Sequence, residues 1–352
     1  MPFLSVIVPA HQGERVLPRV LAAIAASDLP RAEWELIVVD DASTDATPRV
    51  AALHADRVVS LPGRPHGPGY ARNRGVEESR GEWVVFIDAD VVVHPDALRR
   101  IAGVARTEAG VDAVFGAYDD APPGPTFISQ YRNLLHRYTH LVGSGEAETF
   151  WAGCGAVRAS AFRAVGGFDE RRYPRPQIED IELGYRLRDH GGRILLVPLI
   201  QGAHLKQWTW RGSVRTDLLD RGIPWVRLLL ERGGLSHRAA LNVKRGEQVK
   251  TGLVGLALAL ALFTPLLGRW EPLLATAALL GGVILSNRRQ VAWFARMRGT
   301  RFALATVPMN LWYYLVSGIC VAAGYMLHLR AGRPRLAPTA SLAVRPSAGA
   351  HS

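Results

Sequence analysis

Lysine is nearly missing from this 352-residue sequence: there are three, and none precedes Lys206. A glycine-rich phosphate loop with a lysine near the N-terminus is therefore absent, which weighs against a nucleotidyltransferase on a related nucleotide-binding fold without closing that alternative. No G-x-G-x-x-G follows the first apolar run, which argues against a dinucleotide-binding dehydrogenase as well. Two cysteines, Cys154 and Cys320, are too few and too far apart for a disulfide framework or a CxxC zinc pattern, and a reducing compartment is expected. The opening MPFLSVIVPA lacks a basic n-region, so no signal peptide is expected. Acidic residues run out towards the end. Residues 251–352 hold ten arginines against the single Glu271, whereas residues 1–250 nearly balance, with 32 Lys+Arg against 30 Asp+Glu. The net charge of +11 thus belongs to the C-terminal third, which also carries the longest apolar runs. That pairing suits a membrane surface rather than nucleic acid.

The first half alternates apolar runs with helical stretches. FLSVIVP (3–9), ELIVVDD (35–41) and WVVFIDAD (83–90) are continuous rather than alternating, as in strands buried on both faces of a parallel sheet. Between them, 45–55 follows the N-cap types Ser43 and Thr44, and 70–79 stops at Gly81. This βαβ rhythm predicts an α/β sandwich with right-handed crossovers, whose ligands bind beyond the carboxyl ends of the strands. Helices are predicted over 127–142 and 178–190, with a strand over 193–198. Residues 205–245 are basic and amphipathic, with Trp208, Trp210 and Trp225 among Arg and Lys. They predict either a helix in a membrane interface or an ordinary surface helix.

The strand ends carry the chemistry. Asp88-Ala89-Asp90 closes an apolar strand, and two such carboxylates can hold a divalent cation with a ribose or diphosphate; the plainer role is a turn. Asp40-Asp41 can accept from a nucleobase or ribose, or cap the next helix. Arg72 and Arg74 begin a helix after Gly69, suited to phosphate or a nucleotide carbonyl. Glu179-Asp180 opens a helix and offers a general base, or merely compensates the helix dipole. His204 either completes a metal shell or is structural.

The segments VIVPAHQGE, VVDDAST, GPGYARNRG, VFIDADV, GGFDE and IEDIELGYRL follow one another as in family 2 glycosyltransferases, which this sequence resembles over about residues 3–205. The resemblance implies a GT-A fold, which is a Rossmann-like α/β domain, and an inverting, metal-dependent transfer from a nucleotide-diphosphate sugar. It implies that Pro9, Ala10 and Glu14 line the nucleotide pocket, that Asp41 contacts the base, and that Arg72 lies near the base or phosphates. It assigns Asp88 to the ribose, Asp90 to Mg²⁺ or Mn²⁺, and Asp180, preceded by Glu179, to the catalytic base. Gly153 and the 166–170 loop, with Gly167 and Asp169, would shape the sugar and acceptor pocket. The QxxRW motif of processive members is absent, so transfer of a single sugar is expected.

Four segments are expected: a catalytic domain over 1–205, an amphipathic segment over 206–250, membrane helices over 251–329 and a disordered tail over 330–352. The membrane helices are placed at about 251–268, 272–286 and 303–328. The first two are short of the ~20 residues a span needs and could form a re-entrant hairpin. Arg288, Arg289, Arg296, Arg298 and Arg301 place the loop after them, and the catalytic domain, on the cytoplasmic side. Arg330, Arg333 and Arg335 sit awkwardly with a tail on the other side. The expected function is single-sugar transfer from a nucleotide-diphosphate sugar to a lipid-linked acceptor at the cell membrane. The alternatives are a polyprenyl-phosphate sugar synthase and a non-catalytic nucleotide-sugar-binding membrane protein.

Overall fold

The computed structural model describes residues 1–235 and 240–331. Its first half runs β1 (Leu4–Ala10), α1 (Leu17–Ala25), β2 (Trp34–Asp41), α2 (Thr47–Ala52), β3 (Arg57–Leu61), α3 (Pro68–Glu77) and β4 (Trp83–Ile87). β5 (Val91–Val93), α4 (Ala97–Thr107), β6 (Val111–Tyr118) and α5 (Phe127–Val142) follow. Then come β7 (Gly145–Ala147), β8 (Cys154–Arg158), α6 (Ala159–Ala164), α7 (Glu179–Asp189) and β9 (Arg193–His204). The three apolar runs are β1, β2 and β4. Each lies inside one sheet because both of its faces are apolar: Val6 and Val8 pack to one side, Ile7 to the other.

The sheet order is β3-β2-β1-β4-β8-β6-β9-β5, with β7 on β9. β1 is parallel to both β2 and β4, so the strand order reverses on either side of it and a crevice opens beyond its carboxyl end. The sheet is mixed rather than parallel throughout, since β8 is antiparallel to β4 and β6. β9 does not stop at Pro198. It continues through an irregularity in its pairing with β6 and ends on His204, opposite Val91.

The segment after β9 is broken. It consists of α8 (Trp210–Arg215), a π-helical stretch Thr216–Gly222 and α9 (Ile223–Glu231). Trp208 and Trp225 are buried, not displayed on a lipid-facing surface. Then come α10 (Arg245–Leu267), α11 (Glu271–Ser286), α12 (Arg288–Arg298) and α13 (Thr300–Ala331). Residues 245–266 and 300–330 are long and apolar enough to cross a membrane, with mean hydropathy 1.8 and 1.3. α11 has 16 residues and rises about 24 Å, short of the ~30 Å hydrocarbon core.

The arginine-rich segment between the apolar helices is not a loop. It is α12, docked on α5 with Phe294 buried against Tyr131, ring centres 6.0 Å apart, and with Arg298 donating to Gln130. α13 likewise follows the half that carries the sheet. Phe302 meets Phe127, Asn310 accepts from the Tyr131 hydroxyl at 2.9 Å, Trp312 packs on Trp210, and Cys320 lies over the Asp217 carbonyl. These residues recur at helical spacing on one face, a pattern that averaging hydropathy over 303–328 hides. The tail beyond Ala331 lies outside the described residues.

Candidate active site

The carboxyl ends of β1, β2 and β4 open into a cavity of ≈ 1310 Å³. Pro9 and Ala10 line it, with His11 and Gln12 behind them. Asp41 also lines it, but its buried carboxylate is already occupied. It accepts from the backbone N–H groups of His66 at 2.9 Å and Gly67 at 2.8 Å, holding the 65–68 loop over the crevice. Glu14 does not reach the cavity. Its carboxylate accepts from the backbone N–H of Ala46 at 3.0 Å, satisfying a donor just before α2.

Arg72 is a structural bridge as much as a phosphate contact. Its buried guanidinium donates to Asp88 at 2.6 Å and to Glu179 at 3.0 Å, and it lies over Phe168. The buried Glu179 carboxylate is tolerable only with such a partner. Asp88, Arg72, Glu179 and Asp180 are thereby gathered on one cavity wall. Asp180 stands in the first turn of α7, where it accepts from the N–H groups of Ile181 at 2.8 Å and Ala152 at 3.1 Å. Burial first, then the neighbouring Glu179, push its carboxyl up to about 6, against the opposing pull of the Ala152 N–H and Arg72. A carboxylate in that range can take a proton near neutral pH.

Asp90 and His204 meet at the end of β9, with Nε2 3.3 Å from Oδ2. The amide of Asn133 donates to the Ser129 carbonyl at 2.9 Å, so its oxygen is the atom that faces His204 Nδ1 at 3.1 Å. The Nδ1 must then carry the hydrogen. Nε2 faces the Asp90 carboxylate: with a proton it donates to Oδ2, and without one its lone pair and the carboxylate are two acceptors aimed at one point, which suits a cation between them. Burial raises the Asp90 carboxyl, but the hydrogen bond and charge of His204, with Lys206, outweigh it and hold Asp90 below the ordinary value. Among the described residues no group of three metal-binding side chains forms. Mg²⁺ or Mn²⁺ would fit here with two protein ligands, taking its remaining oxygens from diphosphate and water.

Gly153 and Gly167 are not cavity lining. A Cβ on Gly153 would stand 2.3 Å from the Trp151 ring, so this glycine admits the indole that forms part of the wall. Gly167 has φ +70°, and a Cβ there would stand 2.7 Å from Asn73 Oδ1. That same oxygen accepts from the Phe168 N–H, clamping the 166–170 loop to α3. Asp169 turns away and accepts from the Arg172 N–H. Gly167→Ala is expected to lose about 1–2 kcal/mol of stability through its left-handed backbone and the Asn73 clash, with donor KM unchanged. Urea unfolding beside a donor titration checks both.

Sequence reasoning missed Asn133, Tyr118 and Trp151. Tyr118 stacks on His204 at 4.5 Å with the ring planes 6° apart, and Trp151 stands edge-on to Tyr118. Asn133 sits inside a helix whose apolar spacing was the only visible signal. Tyr118 ends a strand, β6, whose Gly and Asp dilute its β character.

Residues 5–166 match the model of glycosyl transferase family 2. The chain is 34% identical over 102 residues to the poly(ribitol-phosphate) beta-N-acetylglucosaminyltransferase TarS of Staphylococcus aureus, covering 28% of this chain and 18% of that one. It is 28% identical over 222 residues to the validoxylamine A glucosyltransferase of Streptomyces hygroscopicus, covering 54% and 49%. This chain thus spans about half or less of the length of these curated relatives. Among solved structures, a mannosyltransferase from Pyrobaculum calidifontis, in complex with GDP-Man and Mn²⁺, superposes with a TM-score of 0.54 at 19% identity. The match covers 90% of this chain and 87% of that one, and shares the fold.

Proposed function

We propose that this chain, a family 2 glycosyltransferase of the GT-A fold, transfers one sugar from a nucleotide-diphosphate sugar to a hydroxyl of a lipid-linked acceptor, with inversion at the anomeric carbon. The observation that carries this is the continuity of one cavity. It joins Asp41, Arg72, Asp88 and Asp90 at the strand ends to Asp180, and runs on between α9 and α13 to Val226, Trp312 and Val316.

In this mechanism the donor lies across the carboxyl ends of β1 and β4, its nucleotide between Pro9, Ala10 and the 65–68 loop. Arg72 keeps Asp88 and Glu179 in place and supplies positive charge to that wall. Asp90 and His204 would hold Mg²⁺ or Mn²⁺, which neutralises charge on a diphosphate leaving group. Asp180 removes the acceptor proton as the hydroxyl oxygen attacks from the opposite side of the anomeric carbon. The cheapest decisive test is nucleotide release by the detergent-purified protein. UDP-, GDP- and dTDP-sugars would be screened with Mn²⁺ or Mg²⁺, with and without membrane lipid extract. Turnover of one donor, raised by lipid and lost with EDTA, is expected; no turnover of any donor under any acceptor overturns the proposal.

The membrane part of the proposal rests on α10 and α11. They form a hairpin that leaves the catalytic half at Arg245 and returns to it at α12, and Leu262, Phe263 and Leu266 stand exposed along it. Exposed apolar surface of this extent marks a membrane or partner. The arginines of α12 favour the cytoplasmic side for the half that carries the strand-end cavity. Replacing Leu262, Phe263 and Leu266 together by Asp should move the protein from the membrane pellet to the supernatant. A charge in the hydrocarbon costs about 2.5–3.5 kcal/mol, so the partition should fall more than 100-fold. Unchanged pelleting with an intact fold would show that the hairpin is not the anchor.

A further inference from the structure

The cavity changes character along its length. Its donor end is acidic, and its far end between α9 and α13 is apolar and aromatic. Between them stand four cations: Arg132, Arg175, Lys206 and Arg221. Two are spoken for. Arg132 makes a two-point contact with Asp217 at 2.5 and 2.6 Å, and Arg175 lies 3.7 Å from Asp220. Lys206 and Arg221 have no carboxylate within ion-pair distance among the described residues; Lys206 rests over the Trp208 ring at 4.2 Å.

Arg221 is delivered by the π-helical stretch Thr216–Gly222. The extra residue per turn rotates the downstream residues by about 100° relative to an α-helical continuation of α8, and such insertions are frequent at functional sites. Two like charges in one half-buried wall, neither of them held in an ion pair, are unfavourable. An anion between them removes the penalty. Beyond them the wall holds Trp225, Val226, Leu229, Trp312 and Val316, which suits a hydrocarbon chain.

We propose that Lys206 and Arg221 form an acceptor subsite for a lipid phosphate, its anionic head between the two cations and its chain along α9 and α13. This rests on the glycosyl-transfer reading above and specifies its acceptor: a sugar carried on that head would present its hydroxyl towards Asp180, while the donor occupies the strand ends. The order of wall chemistry, acid then cation then apolar, matches donor, head and tail in sequence.

The test is binding by the full-length protein in detergent, read by quenching of its tryptophan fluorescence. Three probes separate the sources of the chemistry: farnesyl phosphate, the neutral farnesol and inorganic phosphate. Farnesyl phosphate is expected to bind at least tenfold more tightly than either of the others. Arg221→Gln and Lys206→Gln should each weaken it at least tenfold, Arg221→Lys should restore most of the loss, and affinity for UDP and GDP, measured by equilibrium dialysis, should stay within twofold. Equal binding of farnesol would overturn the phosphate site and leave an apolar groove only. If inorganic phosphate competes as well as farnesyl phosphate, or if Arg221→Gln weakens the nucleotide diphosphates instead, the cations serve the donor and the proposal fails. A protein that turns over nucleotide sugars yet ignores farnesyl phosphate would sink this inference alone. One that binds the lipid phosphate but turns over no donor would sink the transfer reading instead.

Discussion

Asp180→Asn is expected to lower turnover onto a hydroxyl acceptor by about 10²–10⁴-fold, the span associated with loss of a general base. The substitution keeps the shape and, through its oxygen, one of the two backbone hydrogen bonds that position the carboxylate, from Ile181 and Ala152. Loss of rate with unchanged donor affinity would therefore report chemistry rather than misfolding. The pH profile gives a second signature. With the carboxyl raised to about 6 by burial and by Glu179, the active, ionised form is depleted as pH falls through 6. The rate should drop about tenfold per unit below that point, and the Asn variant should lack this acid limb. The same shift acts on stability in the opposite sense. The folded state holds this proton more tightly than the unfolded chain, so the contribution is fully present below about 4 and is lost as pH rises through 6. An Asp180→Asn enzyme with nearly full rate would remove the general-base role and point to an acceptor oxygen that is already anionic.

Asp90→Ala should cost on the order of 10³-fold in nucleotide-sugar turnover, several kcal/mol of charge stabilisation on the departing diphosphate. Its side chain is 37% exposed and its backbone carbonyl keeps the hydrogen bond from the Leu205 N–H, so the fold should survive. Manganese binding followed by electron paramagnetic resonance separates this from a general defect: the variant should titrate Mn²⁺ much more weakly than wild type, with unfolding midpoints alike. Asn133→Leu should give a milder version, since it releases the His204 ring from its fixed tautomer while leaving both ligands present. Full turnover by Asp90→Ala in EDTA would exclude a metal held at this position.

The strand ends were legible because they depend on local pattern. Three continuous apolar runs ending in polar residues give β1, β2 and β4, and their carboxyl ends converge wherever such strands are parallel. α5 was legible over its full length from the spacing of its apolar residues. Long-range side-chain partnership was beyond the reach of that pattern. Arg72 pairs with Glu179 across 107 positions, and nothing near either residue announces the other. Glu14 looks like pocket lining in VIVPAHQGE, yet it is drawn to a donor ahead of α2 that only the fold brings close. The helices after residue 244 show the limit of hydropathy. Their apolar content is visible, but the face of α13 that follows the catalytic half is carried by scattered aromatic and small residues that an average erases.

The cavity's walls come from three successive parts of the chain: residues 9–90, then 118–206, then 208–321. The sheet cannot be completed before β9 is made, because β9 lies between β6 and β5. During synthesis, which favours N-terminal units first at about 5–20 residues per second, the nucleotide end can therefore be in place while the helices of the apolar end are still being translated. Those helices follow β9 and, on the membrane reading proposed above, would have to meet both the bilayer and the completed sheet. On that reading, docking to the bilayer would then be the step that closes the apolar end of the cavity, after its strand-end half is built.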